Sequence, residues 1–392
     1  MVFAVTARWI FGAGAPPIRN GILAMSNGRI VAIERSGSRK PDLDFGDAAI
    51  LPGLVNAHTH LDLTGMRGLA SPRPDFIAWL HDVISHRRRL SPEQIAKDIR
   101  AGIAESLRAG TTLVGDISGD GLSWAELSES PLRAVVFREM LGLTKDRAEQ
   151  AWQSTQEWLG VCQPTPTCRP GLSPHAPYSA RVSLIKAAAG TGLPTAIHLA
   201  ETTAERELLV DHAGPFVPFL QELGVWDPPG LAKSPEHVIR LAAGSGPTLF
   251  VHANYLAASA AIPDTASIVF CPRTHHAFGH SLHPVADFLA RGVRIALGTD
   301  GLSSNPDLSI LDEMRFLHAD RPDLSSEAIL KMGTLWGAEA LGWGDLCGSL
   351  VPGKSAEFVV IPLSGPDSSD PHELWLESSA DVAETWWQGK RR

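Results

Sequence analysis

The stretch 91–116, SPEQIAKDIRAGIAESLRAGTTLVGD, reads as one complete helix followed by a strand. Ser91 is an N-cap, Pro92 suits the first helical position, Gln94 can close a capping box, and Gly110 can end the helix. The apolar run TTLVGD (111–116) then starts a strand. Similar runs recur outward from this unit. One precedes it, at 50–56 (ILPGLVN). Six follow, at 133–139 (RAVVFRE), 169–174 (RPGLSP), 194–199 (PTAIHL), 247–252 (PTLFVH), 267–271 (SIVFC) and 293–298 (VRIALG). Helix-like stretches fill most connections. Eight such units predict an α/β protein built on a parallel (β/α)8 barrel, with a doubly wound sheet as the competing architecture.

The two ends of the chain are rich in β signals. ILAMSNGRIVAIE (22–34) reads as a hairpin turning at Ser26-Asn27-Gly28, and AEFVVIPL (356–363) follows a turn at Val351-Pro352-Gly353. The expected division is a small domain from residues 1–49 plus 345–392, flanking a barrel domain of 50–344. No repeat of fixed short period and no low-complexity tract interrupts it.

Composition narrows the function classes. The 392 residues are 44% hydrophobic and 20% charged, which excludes intrinsic disorder. With 34 basic against 43 acidic residues the net charge is −9, so a basic nucleic-acid footprint is not expected. No apolar run reaches the roughly 18 residues of a membrane span. The N-terminus lacks a basic region leading into an apolar one, so a cytoplasmic protein is expected. Four cysteines without a CxxC argue against a disulfide framework and a thiolate zinc site. The triplet Arg87-Arg88-Arg89 reads as a solvated helix face.

Histidine is different: there are 15, several in tight groups. His58-Thr59-His60 lies at the end of the first strand, where alternation puts both imidazoles on one side. His198 ends the fifth strand, His252 the sixth and Asp300 the eighth. Barrel enzymes place their sites at that end of the strands. Each residue alone has a structural reading, such as a buried histidine bonded to backbone or an aspartate capping the next helix. Together they converge on one mouth. Imidazole and carboxylate suit Zn²⁺ or Fe²⁺, and His58, His60, His198 and Asp300 make a sensible ligand set for one divalent ion. Zinc so held lowers the pKa of a bound water to about 7. Asp300 could also accept that water's proton, His252 could orient the nucleophile and stabilise charge, and Glu201 could shuttle a proton to substrate. Glu201 could instead simply open the following helix, where acids are favoured.

These residues carry a resemblance. LPGLVNAHTH (51–60), the HxxE at 198–201, the histidine at 252 and LGTDG (297–301) are similar to the amidohydrolase superfamily, in its branch of cytosine, guanine and adenosine-type aminohydrolases. The likeness spans nearly the whole chain. CGSLVPGK (347–354) with AEFVVI resembles the segment that closes the family's small β-sandwich with the N-terminus. The resemblance implies the same four metal ligands, with His252 and Glu201 in the roles of the family's sixth-strand histidine and HxxE acid. Many relatives bridge two metals with a carboxylated lysine on the third or fourth strand. Neither RAVVFRE nor RPGLSP has a lysine, so a single metal is expected. The PCxxC of cytidine-deaminase zinc sites is absent as well.

Around the metal, His175 follows the fourth strand, where the family's similar histidine contacts substrate; here it could instead fix a Pro-bounded loop. Arg138-Glu139 ends the third strand, facing the mouth or forming a structural ion pair. Trp79 could stack on a ring or pack in the core. CPRTHHAFGH (271–280) departs from the branch's Cys-Pro-x-Ser-Asn and resembles aminodeoxyfutalosine deaminases of the alternative menaquinone route, which act on an adenine nucleoside bearing a benzoate. Arg273 and Arg138 are then candidate partners for the carboxylate, unless they hold a carbonyl or a neighbouring acid. A second metal site from His276, His280 and His283 is a further option for this loop.

The expectation is a metal-dependent aminohydrolase of a small adenine nucleoside derivative, with aminodeoxyfutalosine the best single substrate. The alternatives are another deaminase (of adenosine, guanine, S-adenosylhomocysteine or a pterin), a cyclic-amide hydrolase, and a barrel that binds without turnover. No nucleic-acid or membrane partner is expected. A homodimer would be in keeping with barrels generally.

Overall fold

The computed structural model describes residues 1–70 and 72–392. Eight parallel strands follow one another in chain order around a barrel: β1 (Leu54–Thr59), β2 (Thr111–Gly119), β3 (Arg133–Met140), β4 (Cys168–Pro174), β5 (Thr195–Leu199), β6 (Thr248–His252), β7 (Ala266–Phe270) and β8 (Ile295–Leu297). Closure comes just past β8. Thr59 bridges Asp300 in parallel, and the amides of Thr299 and Asp300 both donate to the His58 carbonyl at 3.1 Å. Nearly every strand residue is buried, which is why the strands read as continuous apolar runs.

Helix α1 (Phe76–Arg87) crosses the mouth after β1, and α2 (Pro92–Arg108) returns to β2. The expected capping box is formed: the Gln94 amide donates to Ser91 Oγ, and the Ser91 amide to Gln94 Oε1 at 2.8 Å. Gly110 follows with a left-handed φ of +90°, and a Cβ there would meet Val359 at 2.8 Å. Glycine is therefore required twice over, by conformation and by space.

The run 50–56 is not one strand. Ala48–Pro52 pairs with Phe358–Pro362 and with Trp9–Ile10 in a separate six-stranded sheet, and β1 begins only at Leu54. Gly53 makes the step; a Cβ on it would lie 2.3 Å from Thr112 Oγ1. Both halves are fully buried, so hydrophobicity carries no mark of the break.

The N-terminal hairpin, Ile22–Ser26 with Arg29–Glu34, turns at Asn27-Gly28 with both φ positive, as a tight two-residue turn demands. It belongs to a four-stranded sheet that packs against the six-stranded one through Val5, Leu23, Ile30, Ile50, Phe358 and Trp386. The chain ends thus form a sandwich-like region beside the barrel. Among the described residues, no helix is long and apolar enough to cross a membrane.

Candidate metal centre and substrate cavity

At the C-terminal mouth of the barrel, His58, His198, His252 and Asp300 each offer a ligand atom, and these atoms lie within 4.8 Å of one another. His60 stands beside them, its Nε2 3.5 Å from Asp300 Oδ1; His58 Nε2 is 3.2 Å from the same oxygen. Local backbone geometry aims these side chains. On β5, Ala196 belongs to the apolar cluster shared by several strands, and His198 continues its face. On β1, Val55 and Ala57 occupy that face, and a register slip against β2 between Asn56 and Thr59 turns His58 towards it. On β6, Val251 holds the shared face, so simple alternation would send His252 outward. Left-handed backbone at His252 (φ 67°) and Ala253 (φ 55°) brings it back. Ala200 (φ 52°) and Asp300 (φ 57°) are held the same way. Non-glycine residues seldom adopt this conformation, and such strain collects at functional sites.

The strained turns are tied down. The buried Glu205 carboxylate accepts from the Ala200 amide at 2.8 Å and the Glu201 amide at 3.4 Å. Asn254 Nδ2 donates to the Glu201 carbonyl at 3.0 Å, and His283 Nε2 donates to the His252 carbonyl at 2.8 Å. Thr59 Oγ1 donates to the Asp300 carbonyl at 3.0 Å, and Ser304 Oγ to its Oδ2.

The donor set fits a divalent cation. His198 Nδ1–H donates to the His175 carbonyl at 2.9 Å, leaving the Nε2 lone pair free. His58 Nδ1 and His60 Nδ1 are buried without a partner among the described residues. Burial is the main force pushing the imidazoles of His60, His198 and His252 well below their ordinary range, so they are neutral. Burial also acts to raise Asp300, but its surroundings, led by the hydrogen bond from His58, outweigh this and hold the carboxyl well below the usual range. Neutral imidazoles around one carboxylate are what zinc or iron(II) binds. Glu201 Oε1 sits 3.5 Å from His252 Nε2. Burial, then the charges of Asp300 and Glu205, push its carboxyl well above the usual range.

A cavity of about 50 Å³ lies over this cluster, lined by Trp79, Glu139, His175, Glu201 and Asp300 among others. An apolar annex of about 360 Å³ adjoins it, walled by Val83, Ile84, Leu143, Phe219 and Leu220, with Arg88 and Arg147 also lining it.

The amidohydrolase family profile matches residues 49–391. The chain belongs to the amidohydrolase family. A protein of Moorella thermoacetica named 5-methylthioadenosine/S-adenosylhomocysteine deaminase is 31% identical over 92% of this amidohydrolase and 85% of its own length. The solved structure of Helicobacter pylori aminofutalosine deaminase covers all of both chains at 24% identity, with a TM-score of 0.84. An adenosine deaminase from Xanthomonas campestris with bound zinc covers 99% of this chain and 92% of its own, at 24% identity and a TM-score of 0.76. The amidohydrolase is therefore a (β/α)8-barrel hydrolase acting on carbon–nitrogen bonds.

Most residues expected at the mouth are there. His175 lines the cavity with its Nδ1 2.7 Å from Ser179 Oγ, and burial lowers it to about 3. Trp79 donates from Nε1 to the Ser303 carbonyl at 3.1 Å and packs on Phe76 and Phe278, so it belongs to both core and wall. In the loop 271–283, His275 Nδ1 bonds Asn254 Oδ1 at 3.0 Å, His280 Nδ1 meets the Tyr255 hydroxyl at 3.2 Å and His283 Nε2 bonds the His252 carbonyl at 2.8 Å; among the described residues, His276, His280 and His283 do not gather into a metal-binding cluster. The loop buttresses the turns that carry Glu201 and His252.

Two expectations are corrected. Arg138 does not face the cavity. Val135 and Phe137 hold the shared face of β3 and Glu139 continues it, so Arg138 points to the helix layer. There it bonds Asp120, Ser154 and Thr155 and lies 5.9 Å over the Trp158 ring. Arg273 is also turned away: it forks onto Asp307 at 2.7 and 2.9 Å and onto Glu313 at 2.7 Å. Neither guanidinium is free for a substrate carboxylate. Glu313 is fully buried, so Arg273→Met is expected to cost about 3–5 kcal/mol of stability by stranding that charge. Urea unfolding at neutral pH measures this, and a change below about 1 kcal/mol would contradict the structural role.

The residue missed was Arg87. It lines both cavities, bonding Glu139 at 2.8 Å and Asp62 at 3.0 Å, while Arg88 and Arg89 are exposed. A signal existed: Trp79, Val83 and Arg87 are spaced by four and so share one stripe of α1. Treating three arginines as one charge run concealed it.

Proposed function

We propose that this amidohydrolase removes the amino group from the adenine ring of a nucleoside whose sugar carries an apolar substituent, with aminodeoxyfutalosine the foremost candidate. The observation that carries the reading is the His/Asp cluster at the floor of a small cavity that continues into an apolar annex of about 360 Å³, so that a ring held at the cluster would have its substituent against apolar walls. The names of the relatives support an adenosine-type substrate. His58, His60, His198 and Asp300 would hold one divalent ion, zinc or iron. When bound, the ion supplies Lewis acidity and an activated water.

The chain's own groups do the rest. Trp79 and Leu63 would wall the ring's side of the cavity. Glu201 protonates the ring nitrogen beside the carbon bearing the amine, which makes that carbon electrophilic. Asp300 takes the proton released as the water oxygen bonds to this carbon. His252 donates to that oxygen as charge builds. The proton held by Asp300 passes to the amine, the carbon–nitrogen bond breaks, and ammonia leaves an oxo ring. Glu201 recovers its proton from the ring or the new oxygen.

With Arg138 and Arg273 occupied elsewhere, Arg88 and Arg147 are the cations lining the annex beyond Arg87. They are the candidates for a terminal carboxylate. The second reading, a 5-methylthioadenosine or S-adenosylhomocysteine deaminase, is favoured by relatives at 31% and 30% identity. Ammonia release by zinc-loaded protein separates the two. Burying an aryl group in the annex should raise kcat/KM for aminodeoxyfutalosine about 10- to 100-fold over adenosine. Preference for 5-methylthioadenosine would favour the second reading. Turnover of guanine or a cyclic amide alone would reject both.

A further inference from the structure

The polar residues common to the metal-side cavity and the annex are Arg87, Glu139, His175 and Tyr178. They mark the junction, where the part of a substrate joining ring to substituent must lie. At this junction one oxygen is unaccounted for. Glu139 Oε2 accepts from Arg87 Nη1 at 2.8 Å, and Arg87 Nη2 turns to Asp62 at 3.0 Å. One guanidinium thus serves two carboxyl groups. Glu139 Oε1 has no hydrogen-bond partner among the described residues, although the side chain is only 3% exposed. His175 Nε2 stands 3.7 Å from that oxygen, beyond hydrogen-bond length. Buried acceptors are nearly always satisfied, and exceptions call for a functional explanation.

A carboxylate salt-bridged to Arg87 can only accept, so its missing partner is a donor. An ether oxygen, a carboxylate or an alkyl group would leave it unpaired. A hydroxyl on the linking sugar supplies what is missing. We propose that Glu139 Oε1 accepts a hydrogen bond from a sugar hydroxyl of the substrate, with Arg87 clamping the carboxylate in place, so that this amidohydrolase is selective for ribosides over deoxyribosides. The inference rests on the nucleoside reading above and adds the recognition of the sugar.

The test compares an adenine riboside with its 2′-deoxy and 3′-deoxy forms, using the zinc-loaded full chain and adenosine as parent compound. Wild-type protein should lose on the order of 10²-fold or more in kcat/KM with at least one deoxy analogue, because the site's buried oxygen is then left unpaired. In Glu139→Gln the riboside should itself be slowed, and the riboside-to-deoxyriboside ratio should shrink to within roughly threefold. A purely structural role would slow all three substrates equally and keep the ratio. That result would overturn the proposal, as would wild-type protein that treats the three alike. The wild-type comparison stands even if the variant folds poorly. If no adenine nucleoside is deaminated at all, the functional reading fails first and this inference with it.

Discussion

Glu201→Gln will lower kcat by about 10³-fold or more while the metal content stays at the wild-type level. The amide keeps the shape of the side chain and can still donate a hydrogen bond, but it cannot deliver a proton. Glu201 is placed for that delivery by contacts that do not involve its own carboxyl: Glu205 holds its amide, and Asn254 holds its carbonyl. The substitution should therefore leave the turn and the neighbouring His252 in place. Burial, then the charges of Asp300 and Glu205, push the carboxyl well above the usual range, towards the protonated state an acid needs at the start of the reaction. Steady-state ammonia release and elemental analysis on the same preparation read the two quantities together. Retained turnover would remove Glu201 from the proton path. Lost turnover with lost metal would make it a structural support for the cluster.

Removing the ion is the second large effect. His198→Ala will lose both metal and turnover, the latter by on the order of 10³-fold or more. Dialysis of the wild-type protein against a chelator will do the same, and added zinc will restore activity. The pair His60→Ala and His252→Ala decides the ligand set. The atoms that gather within 4.8 Å include His252 and not His60, whereas the assignment above makes His60 the ligand. If that assignment holds, His60→Ala loses the metal, and His252→Ala keeps it but turns over far more slowly. The opposite pattern would exchange their roles. Full activity in protein holding a small fraction of one equivalent of metal would end the metal-dependent reading.

Much of this was legible before any coordinates. Capping at Ser91 and Gln94, the stop at Gly110 and the turn at Asn27-Gly28 are local events. They depend on hydrogen bonds and φ angles within a few residues, so short patterns reveal them. The barrel follows from the order of buried strands and helices. His58, His60, His198, His252 and Asp300 stand at strand ends, and in a closed parallel barrel all strand ends share one mouth.

What escaped was direction and partnership. The break at Gly53 is invisible because the strands on either side are equally buried. His252 enters the cluster only because its backbone turns left-handed, a strain that its neighbours impose and its own residue type does not announce. Arg138 and Arg273 were legible as cations near the mouth, yet their partners decide where they point. Asp307 and Glu313 are 34 and 40 residues from Arg273 in the chain. Arg87 was read as surface because its two carboxylates, Asp62 and Glu139, come from other elements. Sequence alone thus determined the barrel, its capping signals and the chemical types gathered at its mouth, since backbone preference and burial act locally. Which charges face the cavity, which are spent on one another, and that one oxygen of Glu139 is left over were decided only by tertiary structure. Pairing between charged groups is set by distance in space, and folding fixes that distance between residues far apart along the chain.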